Sequence, residues 1–268
     1  MAIFLLKSVK TNLLNSLRIQ EMLMRHSIHN FIIINSGINT KNIVMGLADS
    51  KNPEKLISLR NARESGINLY KRFSGGGTVF VDENTFFVTF IFNKSGFLKT
   101  KPEICDPSEI LHWTFPFYKK VFEFPDFAIN GSDYSFGARK FGGSAQMISG
   151  RRFVHHTSFL WDFDLVKMDG ILKIPKKQPQ YRKDRTHKEF LIALKNRFNG
   201  KNEILSKIES VALSHDFGEK VDTKIISLDE DRICKSIDDT DDKNLLKIGD
   251  FDIFIKKKPK FLSRKIKF

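Results

Sequence analysis

The stretch Lys71-Arg72-Phe73-Ser74-Gly75-Gly76-Gly77-Thr78-Val79-Phe80-Val81-Asp82 sets three consecutive glycines between two runs that read as strands. Glycine in a strand connection costs stability, so a triplet marks backbone that something else must approach closely. Without Cβ atoms such a loop can turn its N–H groups onto a phosphate, with Arg72 supplying a charge-assisted contact and Ser74 a hydroxyl. The spacing is that of neither a P-loop nor a dinucleotide fingerprint. A flexible hairpin tip is the bland alternative.

Outward from this loop, residues 68 to 92 read as two strands flanking the glycines. Upstream, Met1 to Leu6 reads as a first strand, and Leu13, Leu14, Leu17 and Met24 have the spacing of an amphipathic helix over 11–25. The runs Phe31-Ile32-Ile33-Ile34 and Ile43-Val44-Met45-Gly46 are β-branched and separated by the turn-like Asn35-Ser36-Gly37, and 56–65 returns to a helical pattern. Downstream, helices are expected at 109–122, 187–198 and 202–214, with strands near 134–136, 141–148 and 153–161. Strands that come in neighbouring pairs with short turns predict an α+β fold, a mixed and mostly antiparallel sheet packed with helices. From about 215 the chain alternates acidic runs, Asp229-Glu230-Asp231 and Asp238-Asp239-Thr240-Asp241-Asp242, with a basic end. The expected division is therefore a main domain at 1–213 and a charged C-terminal appendage or tail at 214–268.

The 268 residues hold 45 Lys and Arg against 31 Asp and Glu, a net charge of +14. With 41% apolar residues and 26 Phe, the chain can bury a sizeable core. No apolar run reaches the ~18–20 residues of a membrane span, and the apolar start lacks the basic region of a signal peptide. Cys105 and Cys234 can build neither a disulfide framework nor a zinc site, which points to a reducing compartment. The positive balance favours anionic partners without naming them. No nucleic-acid motif accompanies it, so nucleic acid is not an expected partner.

Two further segments carry polar groups where chemistry could use them. In Asp133-Tyr134-Ser135-Phe136-Gly137-Ala138-Arg139-Lys140-Phe141-Gly142-Gly143-Ser144-Ala145-Gln146 a lysine follows a glycine turn and precedes small residues. That order suits an ammonium pointing over bare backbone, although an Arg-Lys pair is more often a solvated face. His155-His156-Thr157-Ser158-Phe159-Leu160 opens a strand with polar side chains, and without nearby carboxylate or Cys ligands the histidines read as structural before metal-binding.

Together the three segments resemble the lipoate-protein ligase A family of the biotin/lipoate ligase superfamily. Lys71 to Asn84 is similar to its Arg-Arg-x-Ser-Gly-Gly-Gly-x-Val-x-x-Asp…Asn loop, Arg139 to Gln146 to its Arg-Lys-x-x-Gly-Ser-Ala-Gln segment, and His155 to Leu160 to its His-Gly-Thr-Leu-Leu strand. The helix with Glu21, followed by Asn35 to Gly46, resembles the family's opening. The resemblance covers about residues 1–200 and implies a class II biotin/lipoate ligase-like fold.

It also implies an activity: lipoate or octanoate is activated by ATP to an acyl-adenylate and passed to one lysine of a lipoyl-acceptor domain. Such domains belong to the E2 subunits of 2-oxoacid dehydrogenases or to the glycine-cleavage H protein. By resemblance Lys140 is the catalytic residue, its ammonium stabilising charge on acyl and phosphate oxygens. Arg72, Ser74, Gly75, Gly76, Gly77, Val79, Asn84, Asp133, Gly143, Ser144, Ala145, His155 and Thr157 are the matched substrate- and nucleotide-binding positions. Mg²⁺ is implied by the ATP chemistry, with Asp133 as its candidate ligand, while Asp82 and Asp133 are candidates for the base that the acceptor amine requires. The expected location is the cytoplasm or an organelle matrix.

Val81 stands where many relatives have His, Gly142 replaces a common Ser, and His156 replaces the Gly before Thr157. The residues after 213 are too few and too charged to match the accessory domain of some relatives, so a separate accessory chain or preformed acyl-adenylate is an alternative. Transfer of lipoyl or octanoyl from acyl carrier protein is a further alternative, but a transferase working through a cysteine thioester is disfavoured because neither Glu123-Phe124-Pro125-Asp126 nor 160–185 holds a cysteine. A biotin ligase is disfavoured by the lack of its glycine-arginine loop, and a non-catalytic acceptor-binding homologue is the remaining alternative.

Overall fold

The computed structural model describes residues 3–9, 11–95, 104, 106–214, 217, 224–239, 244–248, 251–255 and 260–267. In chain order its elements are β1 (Ile3–Ser8), α1 (Leu13–His26), β2 (Asn30–Asn35), β3 (Asn42–Met45), α2 (Leu59–Glu64), β4 (Asn68–Lys71), β5 (Val79–Val81), β6 (Thr85–Asn93), α3 (Pro107–Val121), β7 (Phe127–Asn130), β8 (Asp133–Phe136), β9 (Arg139–Ser149) and β10 (Arg152–Leu160). There follow α4 (Leu165–Ile171), α5 (His187–Phe190), α6 (Lys201–Ser214), β11 (Lys224–Ser227), α7 (Glu230–Asp238), β12 (Asn244–Ile248), β13 (Phe251–Ile255) and β14 (Arg264–Lys265).

Among the described residues the strands form an eight-stranded sheet in the order β11-β1-β2-β6-β10-β9-β8-β7, a four-stranded sheet β14-β4-β3-β5 and the hairpin β12-β13. The large sheet is antiparallel except where β1 runs parallel to β2 and β11. Its β1-to-β2 connection carries α1, the crossover that a parallel pair requires. The small sheet repeats this with β3, α2 and β4. The fold is thus the mixed, mostly antiparallel α+β arrangement expected.

Alternation along β6 explains how the large sheet buries both faces. Phe86, Val88, Phe90 and Phe92 join one cluster with α3 and α6, while Ile91 joins a second with α1 and α7. On α3 the buried residues Ile110, Leu111, Thr114, Phe117, Tyr118 and Val121 form the matching helical stripe. That helix starts at a capping box between Asp106 and Glu109, with a proline in its first turn. Burial of Phe90 brings Trp113, Phe117, Tyr118 and Phe217 around one ring.

Three local expectations change. The second strand of the 68–92 region breaks at Asp82-Glu83-Asn84, where Asp82 Oδ1 accepts the Asn84 N–H at 2.9 Å and sends β5 and β6 to different sheets. The helix expected at 56–65 is the shorter α2, preceded by 3₁₀ turns. The helix expected at 187–198 stops after Phe190, because Leu191 bridges to Lys140 and the Ile192 N–H donates to the Lys140 carbonyl at 2.9 Å. Tertiary pairing there overrides the helical pattern. Cys105 lies outside the described residues. Cys234 is a free, buried thiol of α7, pushed up to about 12 by burial.

Beyond residue 213 the chain adds a strand to each sheet, β11 beside β1 and β14 beside β4. Between them, the buried Glu21 carboxylate of α1 accepts the N–H groups of Leu262 and Ser263 at 2.9–3.1 Å. No helix among the described residues is long and apolar enough to cross a membrane.

Candidate active site

The glycine loop leaves β4 at Arg72, whose side chain bends back into the loop it precedes. The Arg72 guanidinium donates to the Gly75 carbonyl at 2.6 and 2.9 Å and to the Gly77 carbonyl at 2.8 Å. Arg72 is 5% exposed, and burial lowers it to about 10, against the favourable field of Asp49. It remains a cation at neutral pH, so the loop carbonyls gather around a fixed positive charge. Thr78 Oγ1 donates to Asp49 at 2.9 Å, and the Leu47 N–H to the Ser74 carbonyl at 3.2 Å.

Glycine is required at two places by contact. Gly76 has φ +87°, and a Cβ there would lie 2.7 Å from the Arg72 guanidinium and 2.9 Å from the Ala145 Cβ. A Cβ on Gly46 would lie 2.1 Å from the Gly76 carbonyl oxygen. The loop therefore lies directly on β9, where the Gly75 N–H also donates to the Gln146 carbonyl at 3.3 Å.

At the start of β9 sits the second constellation. A bulge between Tyr134 and Ser135 sets Asp133 opposite Gly143 and Lys140 opposite Ser135. Lys140 Nζ reaches back to Asp133 Oδ1 at 2.7 Å, with the lysine side chain 21% and the aspartate 8% exposed. A Cβ on Gly143 would come within 2.9 Å of that ammonium, so the small residue clears its path. The other oxygen, Asp133 Oδ2, accepts the Tyr181 hydroxyl at 2.9 Å.

The strand period divides the third constellation. His156 pairs with Ala145 across β10 and β9 and packs edge-on against Phe73, on the glycine-loop face. Burial, then the Arg72 charge, lowers it to about 3, so its imidazole is neutral. His155 and Thr157 point the other way, into the cluster with α3. There His155 Nε2 is 3.1 Å from the Tyr134 hydroxyl and 3.0 Å from Thr157 Oγ1, and Tyr118 donates to Thr157 at 3.1 Å. Gln146 and Ser144 belong to this side too, Ser144 Oγ donating to the Ser132 carbonyl at 2.8 Å and accepting from Gln146. Val79 packs with Leu13, Tyr70 and Val81, and Asn84 stands in the Asp82 turn, its carbonyl accepting the Trp161 N–H.

The structure thus brings together Arg72, Ser74, Gly75, Gly76, Gly77, Ala145, Gly143, Asp133 and Lys140. It separates His155, Thr157 and Ser144 onto the opposite face of the sheet, and Val79 and Asn84 make no hydrogen bond to the loop. Of the buried polar side-chain atoms without a partner among the described residues, three lie around this site: Ser74 Oγ and His156 Nε2 by the loop, and Nη2 of Arg182, in the field of the Asp133 carboxylate. Such orphans are costly unless a ligand completes them. Asp82, the other candidate base, is shifted upward by burial and caps its own turn.

Among the described residues no group of three His, Cys, Asp or Glu side chains could hold a metal ion. Both oxygens of Asp133 are engaged, Oδ1 by the Lys140 ammonium and Oδ2 by the Tyr181 hydroxyl. Tyr181, Arg182 and Gly46 were not among the expected site residues. Tyr181 and Arg182 lie in a 3₁₀ turn (Gln180–Arg182) within a charged, aperiodic stretch with no local signal, while Gly46 had only its place at the end of the segment that resembles the family's opening.

Residues 12–206 match the family model of the lipoyl protein ligase A/B catalytic domain. The chain is 29% identical over 188 residues to the protein named inactive lipoate–protein ligase 2 of Plasmodium falciparum (isolate 3D7), a stretch covering 59% of this chain and 48% of that one. The match thus spans about half the length of that relative. The fold is similar to that of a chain from the structural analysis of an archaeal lipoylation system, a bi-partite lipoate protein ligase and its E2 lipoyl domain from Thermoplasma acidophilum, with TM-score 0.69 and 15% identity over 90% of this chain and 92% of that one. It is equally similar to a lipoate-protein ligase A bound with ATP, at TM-score 0.69 and 15% identity over 90% of this chain and 96% of that one.

Proposed function

Because the chain belongs to the lipoyl protein ligase A/B catalytic domain family, we propose that it joins lipoate or octanoate to a specific lysine of a lipoyl-acceptor domain through an acyl-adenylate. In the first half-reaction a carboxylate oxygen of the acid attacks the α-phosphorus of ATP, and pyrophosphate leaves. In the second, the acceptor amine attacks the acyl carbonyl carbon, the C–O bond to AMP breaks, and the amine proton is lost. Negative charge develops on acyl and phosphate oxygens in both, and the Lys140 ammonium over the bare backbone of Gly143 is suited to stabilise it.

The observation that carries this reading is the contact of the glycine loop with β9 beside the Lys140–Asp133 pair. The unpartnered Ser74 Oγ and Arg182 Nη2 supply further donors for an anion. Residues 1–213 would be the catalytic unit and 214–268 its appendage, in a reducing compartment such as the cytoplasm or an organelle matrix. The net charge of +14 would speed encounter with an acidic acceptor domain of an E2 subunit or H protein.

The name of the Plasmodium relative favours a second reading, in which the chain takes preformed acyl-adenylate, with or without a separate accessory chain, or only binds the acceptor. Lipoate-dependent exchange of labelled pyrophosphate into ATP, with Mg²⁺ supplied, separates the two. Exchange supports adenylation, whereas transfer from supplied adenylate without exchange supports the second reading. Lys140→Ala is expected to lower transfer by ~10²-fold or more while the protein stays folded. Undiminished transfer by that folded variant would refute the role of Lys140.

A further inference from the structure

We propose that Tyr181 is a positioning residue for Lys140, acting through Asp133; the inference rests on Lys140 being the catalytic group. The Asp133 carboxylate is held at both ends, Oδ1 by the Lys140 ammonium at 2.7 Å and Oδ2 by the Tyr181 hydroxyl at 2.9 Å. An aspartate with one oxygen engaged can still swing its plane about the terminal torsion. A donor on the second oxygen fixes that plane, and with it the place of the ammonium.

The segment around Tyr181 is built to hold it there. Lys183 and Asp184 both adopt left-handed backbone angles, φ 51° and 55°, which cost non-glycine residues roughly 1–2 kcal/mol each. Contacts to the turn and to the β9 side of the hairpin that carries Asp133 and Lys140 support this conformation. Arg185 donates to the Tyr181 carbonyl at 2.7 Å and to the Ala138 carbonyl at 2.9 Å. Arg139 donates to the Leu191 carbonyl at 2.6 Å and the Lys188 carbonyl at 3.1 Å. Gln178 pairs with Asp184 through both amide atoms, and the Tyr181 ring lies 5.2 Å from that of Phe190. Strain maintained by this many contacts is characteristic of functional loops. Burial and the Asp133 charge also push the Tyr181 phenol well up, so it stays a donor throughout the neutral range.

The test is competitive labelling of lysines by acetic anhydride in the full chain, read by peptide mass spectrometry, on wild type, Tyr181→Phe, Asp133→Asn and the double variant. Phenylalanine retains the ring contact with Phe190. Lys140 labelling, relative to exposed lysines, is expected to rise about threefold or more in each single variant, with no further rise in the double. Unchanged labelling in Tyr181→Phe, or a further rise in the double, overturns the proposal. With supplied acyl-adenylate, Tyr181→Phe should lower kcat by about tenfold with KM changed less than ~2-fold. A wild-type chain that transfers nothing would sink the proposed function, while the labelling result would still decide the role of Tyr181.

Discussion

Gly76 shows how much a single residue decides here. Its left-handed angle and the two approaches under 3 Å leave no room for a methyl group, and the group it would strike is the guanidinium that gathers the loop. Gly76→Ala should destabilise the fold by about 1–3 kcal/mol and reduce acyl transfer further than that loss of stability explains. Urea unfolding alongside transfer from supplied adenylate would show this, and a variant with wild-type transfer would contradict it. The need for a bare loop was legible in the triplet itself. Which groups press on it was not: Ala145 lies about seventy positions away in sequence, and Gly46 thirty. The Arg72 contact to the loop's own carbonyls was not legible either: Nε and Nη2 donate to Gly75 and Gly77. The alternation of β10 likewise separates His155 from His156, a division that period-two reading of 152–160 could have anticipated.

At the scale of elements, α7 is joined to the N-terminal strand by a buried acid. Glu230 of that helix accepts the Ser8 hydroxyl at 2.7 Å, and burial pushes its carboxyl up to about 7 from 4.5. The folded chain therefore binds this proton more tightly than the unfolded one. The resulting stability is fully present below about pH 4.5 and is lost as pH rises through about 7, roughly 3 kcal/mol in all. Glu230→Gln should gain stability relative to wild type by that amount between pH 4.5 and 8, measured by urea unfolding. Parallel pH profiles for the two chains would disprove it. His155 and His156, neutral in the fold to about pH 3, contribute an opposite trend below about 6.5 that both chains share. Helices with a continuous apolar stripe, α1 and α3, were legible from spacing. The helix expected at 187–198 was not realised, because its backbone groups are claimed by Lys140 on a strand fifty residues earlier.

For the molecule as a whole, the chain after 213 joins the two sheets across α1. Glu21 is fully buried, paired with Arg25 at 3.1 Å, and accepts backbone N–H groups from Leu262 and Ser263. Glu21→Ala would orphan those donors and open a cavity, an expected loss of about 2–4 kcal/mol in urea unfolding. A loss under ~0.5 kcal/mol would show that the contact contributes little. The same residue was legible only as part of a helix similar to the family's first, since nothing in its surroundings names a partner more than two hundred positions away.

The mixed α+β class, the helices α1 and α3 and the three motif segments were determined by the sequence alone, because apolar period and glycine content are local properties of the chain. The pairing of Lys140 with Asp133, the hold of Tyr181 on that carboxylate, the separation of His155 from the glycine loop and the attachment of residues 260–267 to Glu21 were decided by tertiary structure. Each depends on which strands lie side by side and on the face each residue presents, and that follows from how the two sheets bury their apolar surfaces.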